Sequence, residues 1–207
     1  MNIRYWLLTT ELEQMNKFLD FSGEALEKAA QEFEEEVVQM AERIPEDQRG
    51  SLLEFHADEY SMLTDDFPRT LFSSFLVSWY SFVEEELKRL CDRLVPLSIL
   101  DEEQRKKLGR GIDRSRKILL KAKGYEIQQE HWEELKRIQK IRNKAVHVGG
   151  KLGSLESDEN IAKYLKTNSL IAYRGVAILD PSQAYCKHLV SFGKDLFSTI
   201  YNDLGLS

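Results

Sequence analysis

The sequence predicts an all-α protein built mainly of long amphipathic helices. Apolar residues recur every three to four positions through most of the 207 residues, which is the period of a helix with one buried face. Prolines and glycines divide these stretches where helices begin or end. Only residues 169–179 place β-branched and apolar residues on both sides of a turn signal, Arg174-Gly175. We therefore expect an antiparallel helical bundle with a small β-hairpin insert near 169–179.

The first half of the chain predicts three helices, at residues 11–43, 47–63 and 68–95. The first is one long helix or two helices broken near Ser22-Gly23, and it ends before Pro45. Pro68 suits the first turn of the third helix, and Pro96 stops that helix.

The second half predicts a short basic helix from Asp101 to Gly109, followed by helices at 111–123 and 130–148. A polar loop at 151–160 and a short helical piece at 161–165 precede the hairpin. Asp180-Pro181 predicts the start of the last helix, with Asp180 as its cap.

Composition excludes several classes of protein. Hydrophobic residues make up 42 % of the chain and charged residues 31 %, which is typical of a globular protein. No apolar run approaches the roughly 20 residues that a membrane helix needs, and the N-terminus lacks a signal-peptide core. We therefore expect a cytoplasmic protein without membrane contact, in which Cys91 and Cys186 are buried thiols.

The net charge of −6 is unevenly distributed along the chain. The first 70 residues are acidic, whereas residues 105–123 carry nine basic side chains and one acidic side chain, Asp113. Such a segment either binds a polyanion locally or forms a solvated helix surface. Seven of its residues are candidates for binding such a polyanion: Arg105, Lys106, Lys107, Arg110, Arg114, Arg116 and Lys117.

Two charged residues fall on predicted apolar faces. Glu86 lies on the apolar stripe of helix 68–95, and Arg142 lies among Leu135, Ile138, Ala145 and Val146 on helix 130–148. Because an unpaired buried charge costs several kcal/mol, the simplest hypothesis pairs Glu86 with Arg142 across the two helices. The alternative is that the long side chains reach outward to solvent.

The end of helix 130–148 places Arg142, Asn143 and His147 close together in sequence, just before Gly149-Gly150. A histidine in the last turn of a helix is favoured in its protonated form by the helix dipole. Arginine stabilises charge on a phosphoryl group, and histidine transfers protons. The set therefore suits phosphate chemistry, or else His147 caps the helix and Arg142 is structural.

The segment "IRNKAVH", residues 141–147, resembles the R-x4-H signature of the HEPN superfamily. Upstream, "SFVEEELKRLC" resembles the acidic-apolar helix of many members, and "GIDRSRKILLKAKGYEI" resembles the stretch that precedes their motif helix. The resemblance covers roughly residues 68–204. It implies a single domain, 1–207, with a HEPN-like core at 68–207 and an acidic helical extension at 1–67.

The resemblance implies a dimeric endoribonuclease that needs neither metal nor cofactor. Arg142 would then bind the scissile phosphate, His147 would act as general acid or base, and Asn143 would orient one of them. Attack by the ribose 2′-hydroxyl would leave a 2′,3′-cyclic phosphate and a 5′-hydroxyl. Glu86 is a supporting residue inferred from its face of the helix.

The implied partners are RNA, a second copy of the chain, and an antitoxin or another antiphage-defence protein. Some HEPN toxins carry a tyrosine where this chain has Gly149, and many active members carry a polar residue where it has Val148. Two alternatives follow: a catalytically inactive HEPN-like dimer that binds RNA, a nucleotide or a protein, or a helical interaction protein whose acidic N-terminal helices bind a basic partner.

Overall fold

Helices make up most of the structure, a computed structural model that describes residues 3–95, 103, 107–147, 164, 171–174 and 178–206. The elements are α1 (Ile3–Glu42), α2 (Glu46–Ser61), a π-helical turn (Met62–Asp66), α3 (Phe67–Leu94), α4 (Gly111–Lys123), α5 (Gln129–His147), β1 (Ile171–Arg174), β2 (Ile178–Pro181) and α6 (Gln183–Asp203). This architecture confirms the predicted all-α bundle.

The core forms where α1, α3 and α6 pack together. Helix α1 runs antiparallel to α6, since Glu13 pairs with Lys194 and Asp20 pairs with Lys187. At Gly193 the helices approach closely, because an added Cβ would lie 3.3 Å from side-chain atoms of Leu12 and Trp79. The division into an extension and a core at residue 67 stays a prediction. Leu8, Leu12 and Leu19 of α1 belong to the same buried cluster as side chains of α3 and α6.

Helix α1 begins eight residues earlier than predicted, at Ile3, and it continues unbroken through Ser22-Gly23. Gly23 is buried where α1 meets the start of α6, and the side chain of Gln183 occupies the space beside it. The Gln183 amide donates a hydrogen bond of 2.8 Å to the carbonyl oxygen of Leu19. Gly23 therefore marks a close contact between helices and not a break.

A π-helical turn joins α2 to α3, where the sequence predicted two separate helices. The amide of Phe67 donates to the carbonyl of Met62, five residues earlier. Pro68, in the first turn of α3, has no N–H, and its ring would crowd the carbonyl of Thr64 in a regular α-helix. The wider turn accommodates the proline while the helical direction continues.

The later elements follow the prediction closely, with one correction. Gly124 ends α4 in the left-handed conformation, φ +62°, which glycine commonly adopts after the last residue of a helix. The hairpin is present, with Ile171 opposite Pro181. The cap of α6 is Ser182, whose hydroxyl accepts from the Tyr185 amide at 3.1 Å, because Asp180 and Pro181 belong to β2.

Some sequence predictions fall outside the described residues. The helix from Asp101 to Gly109 does so for the most part, as do the loop at 151–160 and the helical piece at 161–165 apart from Tyr164. Cys91 and Cys186 are buried thiols, as predicted, and burial raises their pKa values to about 11 and about 12. Among the described helices, none combines the length and apolarity that crossing a bilayer requires.

Glu86 does not pair with Arg142, so that hypothesis is wrong. The Glu86 side chain is 1 % exposed and is bound by Arg4 of α1 and by Arg89 one turn along α3. Arg4 Nε lies 3.1 Å from Glu86 Oε2, and Arg89 Nη1 lies 2.6 Å from Oε1. The sequence predicted that the first helix begins at residue 11. Arg4 therefore lay outside every predicted helix and was not considered as a partner of Glu86.

We expect Glu86→Ala to lower the free energy of unfolding by about 2 to 3 kcal/mol, because it removes a buried group that two arginines bind. Urea denaturation measures this change. Glu85→Ala is the matched control: Glu85 is 43 % exposed and also pairs with Arg89, so its loss costs less than about 1 kcal/mol. Equal stability of the two variants would show that the buried pair does not hold α1 to α3.

Candidate functional site

Arg142 lies beside the buried ridge of α5 and not at its centre. The fully buried side chains of this helix are Leu135, Ile138 and Ile141, with Trp132 8 % exposed one turn earlier. These four residues recur at every third position, which is less than one full turn of about 3.6 residues. The line of buried side chains therefore rotates around the helix axis toward the C-terminus. Arg142 is therefore half-buried, and Val146, which the sequence placed in the core, is 46 % exposed.

The guanidinium of Arg142 stacks on an aromatic ring of α3. Its central carbon lies 5.5 Å from the centre of the Tyr80 ring, which is 1 % exposed. Nη1 donates to Asn143 Oδ1 at 3.0 Å, and the buried Nε has no hydrogen-bond partner within the described structure. A half-buried cation held by packing is suited to bind an anion through the part of its guanidinium that stays accessible.

The hydroxyl of Tyr80 stays protonated throughout the physiological range. Burial raises the pKa of Tyr80 well above its usual value of 10, and the negative charge of Glu84 raises it further. The positive charge of Arg142 acts in the opposite direction without overcoming burial. The ring therefore presents a neutral, fixed surface to the guanidinium.

Glu84 faces the beginning of α4. Its Oε1 lies 3.1 Å from the position that a Cβ on Gly111 would take, and Gly111 has φ +58°. A side chain at this position would meet both backbone strain and the carboxylate. A carboxylate next to a helix N-terminus is favoured by the helix dipole, so the start of α4 is a stabilising environment for Glu84.

Helices α4 and α5 run antiparallel, which brings the start of α4 to the Arg142 end of α5. Arg116 lies 4.6 Å from the centre of the Trp132 ring, and Lys136 Nζ lies 3.0 Å from Asp113 Oδ2. In these contacts, the lower residue number of α4 meets the higher residue number of α5. Lys136 also donates to Gln139 Oε1 at 2.7 Å, one turn before Arg142.

The predicted basic residues divide between two sides of α4. Arg116 pairs with Glu126 and packs on Trp132, so this residue contributes to the contact with α5. At 100° per residue, Arg114, Lys117 and Lys121 fall on one outward stripe of the helix, and the exposed Arg110 immediately precedes the helix. We call this the basic stripe, and its members are Arg110, Arg114, Lys117 and Lys121.

The basic stripe is largely accessible. Arg110, Lys117 and Lys121 are exposed, whereas Arg114 is half-buried with its Nε inside. Lys117 Nζ donates to the carbonyl oxygen of Lys107, and Lys107 itself pairs with Glu103 at 2.7 Å. Arg105 and Lys106 lie outside the described residues.

The other site residues occupy the last turn of α5. Asn143 is exposed, and its side chain reaches Arg142. His147 is the final residue of α5, and only its backbone belongs to the described structure. Sequence reasoning missed Tyr80, Glu84 and Gln139; the glycine at position 111, at the start of α4, was the available sequence sign that a side chain approaches there.

Comparison with protein-family models, with curated proteins and with solved structures finds no match to this chain.

We expect Arg142→Met to change the free energy of unfolding by no more than about 1 kcal/mol. The methionine keeps the aliphatic packing and removes a buried donor without a partner, while the lost ring contact costs about 0.5 to 1 kcal/mol. Ile141→Ala, one residue earlier and fully buried, costs about 2 to 5 kcal/mol in the same urea titration. A loss at Arg142 as large as that at Ile141 would make Arg142 a structural residue.

Proposed function

We propose that this protein is a HEPN-type endoribonuclease that cuts RNA without a metal ion. The observation that carries the proposal is Arg142: a half-buried guanidinium, fixed on Tyr80, whose Nε has no partner among the described residues. This arginine lies five residues before His147 on the same helix, as in the R-x4-H signature.

Arg142 is proposed to hold the scissile phosphate. Packing on Tyr80 fixes the guanidinium before substrate arrives, so that less side-chain entropy is lost on binding. The Glu86 carboxylate is bound by Arg4 and Arg89, so it does not compete with a phosphate for Arg142.

His147 is proposed to transfer the protons. The ribose 2′-oxygen forms a bond to the adjacent phosphorus as its proton passes to one histidine. The bond between phosphorus and the 5′-oxygen breaks, and a protonated histidine supplies the proton that this leaving oxygen needs. The products are a 2′,3′-cyclic phosphate and a 5′-hydroxyl, with no redox change.

Two copies of the chain are proposed to form the complete site, each contributing Arg142 and His147. Val146, exposed in the last turn of α5, offers an apolar contact for a second copy next to these residues. The basic stripe on α4 supports RNA as the substrate, because cations along the approach attract the phosphate backbone. A toxin or antiphage-defence role, with an antitoxin or defence protein as partner, belongs to the same proposal.

The second candidate is a HEPN-like dimer that binds RNA without cutting it. The exposed cations of the basic stripe favour this candidate, since binding through them does not require His147. The apolar Val148 beside the histidine favours it as well.

We expect the purified protein to cut total RNA in excess EDTA and to leave cyclic phosphate ends. His147→Ala abolishes the cleavage, because no group then transfers the protons, while His131→Ala retains it. His131 is the matched control, since it lies on the same helix with its Nε2 2.8 Å from Asp195 Oδ2. Sequencing methods that capture cyclic phosphate ends provide the measurement.

Cleavage that is equal in the wild type and in His147→Ala would contradict the role given to His147. A second outcome is salt-sensitive RNA binding without cleavage, retained in His147→Ala and lost when Arg110 and Lys117 are both changed to Glu. That result would favour the binding dimer.

A further inference from the structure

The second half of α1 and the whole of α2 extend beyond the bundle. Helix α6 accompanies α1 only as far as Gly23, where Gln183 begins α6. We call residues 24–61 the acidic arm. Its portion of α1 continues for about 28 Å past Gly23, and α2 returns antiparallel beside it, with Phe33 packed edge-on against His56.

The acidic arm contains few buried residues. None of the 16 residues of α2 is buried, and Val37 is the buried side chain in the arm's portion of α1. Isolated helices of this length are marginal in water, so most helical stability has to come from packing of an apolar face. The arm therefore leaves an apolar surface without a described neighbour.

That surface forms a groove of about 350 Å³ between the two helices. Leu53, His56, Ala57 and Tyr60 line it from α2 at the spacing i, i+3, i+4, i+7. Phe33, Val37 and Val38 line it from α1, and Val38 and Leu53 are 49 % and 53 % exposed. Two antiparallel helices with such stripes accept a third helix as in helix-in-groove recognition.

The charge around the groove decides what kind of helix fits. Residues 24–61 hold twelve acidic and three basic side chains. Glu34 lines the groove, and Glu35, Glu36, Glu54 and Asp58 are exposed on the same two helices. A second acidic arm would be repelled, whereas a helix with apolar and basic faces satisfies both the groove and its rim.

We propose that the acidic arm is a docking site for a basic amphipathic helix of a partner protein. Apolar side chains of that helix enter between Val38, Leu53 and Tyr60, and its lysines or arginines lie against Glu34 and the other exposed carboxylates of the acidic arm. This inference does not depend on the proposed nuclease activity.

The test uses the full-length chain and two fluorescent 18-residue peptides of leucine and lysine. One peptide places its leucines at i, i+3, i+4 and i+7, and the other has the same composition without an apolar face. Fluorescence anisotropy measures binding, and light scattering measures the mass of the protein alone. We expect one amphipathic peptide per chain, bound about tenfold or more tightly than its permuted counterpart.

Substitutions locate the binding surface. Leu53→Asp weakens binding about tenfold or more, because a charge then lies in the apolar groove. Phe55→Asp is the matched control: Phe55 is 81 % exposed on the same helix and does not line the groove, so binding is unchanged. Glu34→Lys weakens binding and reduces its salt dependence.

Three outcomes would overturn the proposal. Equal affinity for both peptides would mean that only charge is recognised. Loss of binding in Phe55→Asp as well as in Leu53→Asp, or no binding at all, would exclude the groove as the site. A dimer of the protein alone that Leu53→Asp dissociates would show that a second copy occupies the groove.

Discussion

The charge of Glu86, 1 % exposed inside the bundle, has to be neutralised within the protein, and this requirement organises the structure around it. Arg4 meets the requirement from the first turn of α1. For Arg4 to reach Glu86, α1 has to be helical from its first residues, which aligns Leu8 and Leu12 with the core. The ion pair between Arg4 and Glu86 therefore holds the first turn of α1 against α3.

The same pairing determines what Arg142 is able to do. Arg4 and Arg89 bind the Glu86 carboxylate, which the sequence had predicted as the partner of Arg142. Arg142 instead packs on the ring of Tyr80 and forms a hydrogen bond with Asn143. A guanidinium bound by a buried carboxylate would have little capacity for a phosphate. The unused donor of Arg142 is thus a consequence of packing elsewhere in the bundle.

The two strongly charged parts of the molecule lie at opposite ends of α3. The acidic arm adjoins its first residues near Phe67, whereas Glu84, about 25 Å further along, contacts the start of α4 beside the basic stripe. Arg142 itself rests on Tyr80, near the middle of α3, with Asn143 beside it. This separation favours a role for the arm in binding a partner over a role in blocking its own site.

Much of the fold could be predicted from the sequence because helical periodicity, prolines and glycines are local signals. The boundaries of α4 and α5 and the position of the hairpin follow from such signals. The start of α1 could not be predicted, because Arg4 binds Glu86, which lies 82 residues away in the sequence. The sequence left open whether this helix breaks at Ser22-Gly23; it continues, because the glycine is required by Gln183 of a distant helix.

The candidate site was predictable only in part. Spacing placed Arg142, Asn143 and His147 together on one helix, but it assumed a straight apolar stripe. The buried line of α5 drifts instead, which moves Arg142 to the edge of the core and Val146 to the surface. Tyr80 and Glu84 belong to a different helix, and sequence spacing carries no information about which of its side chains meet Arg142.

The most direct test of the central claim is a nuclear magnetic resonance titration that observes the Nε–H signals of the arginine side chains. The protein is labelled with ¹⁵N, and Arg142→Lys identifies the signal of Arg142. The added ligand is a short RNA with 2′-deoxy sugars at its cleavage positions, which binds without reacting. We expect the Arg142 signal to shift as a phosphate binds its guanidinium, while the signal of Arg4 stays in place. RNA binding that leaves the Arg142 signal unmoved would contradict the assignment of Arg142 as the phosphate-binding residue.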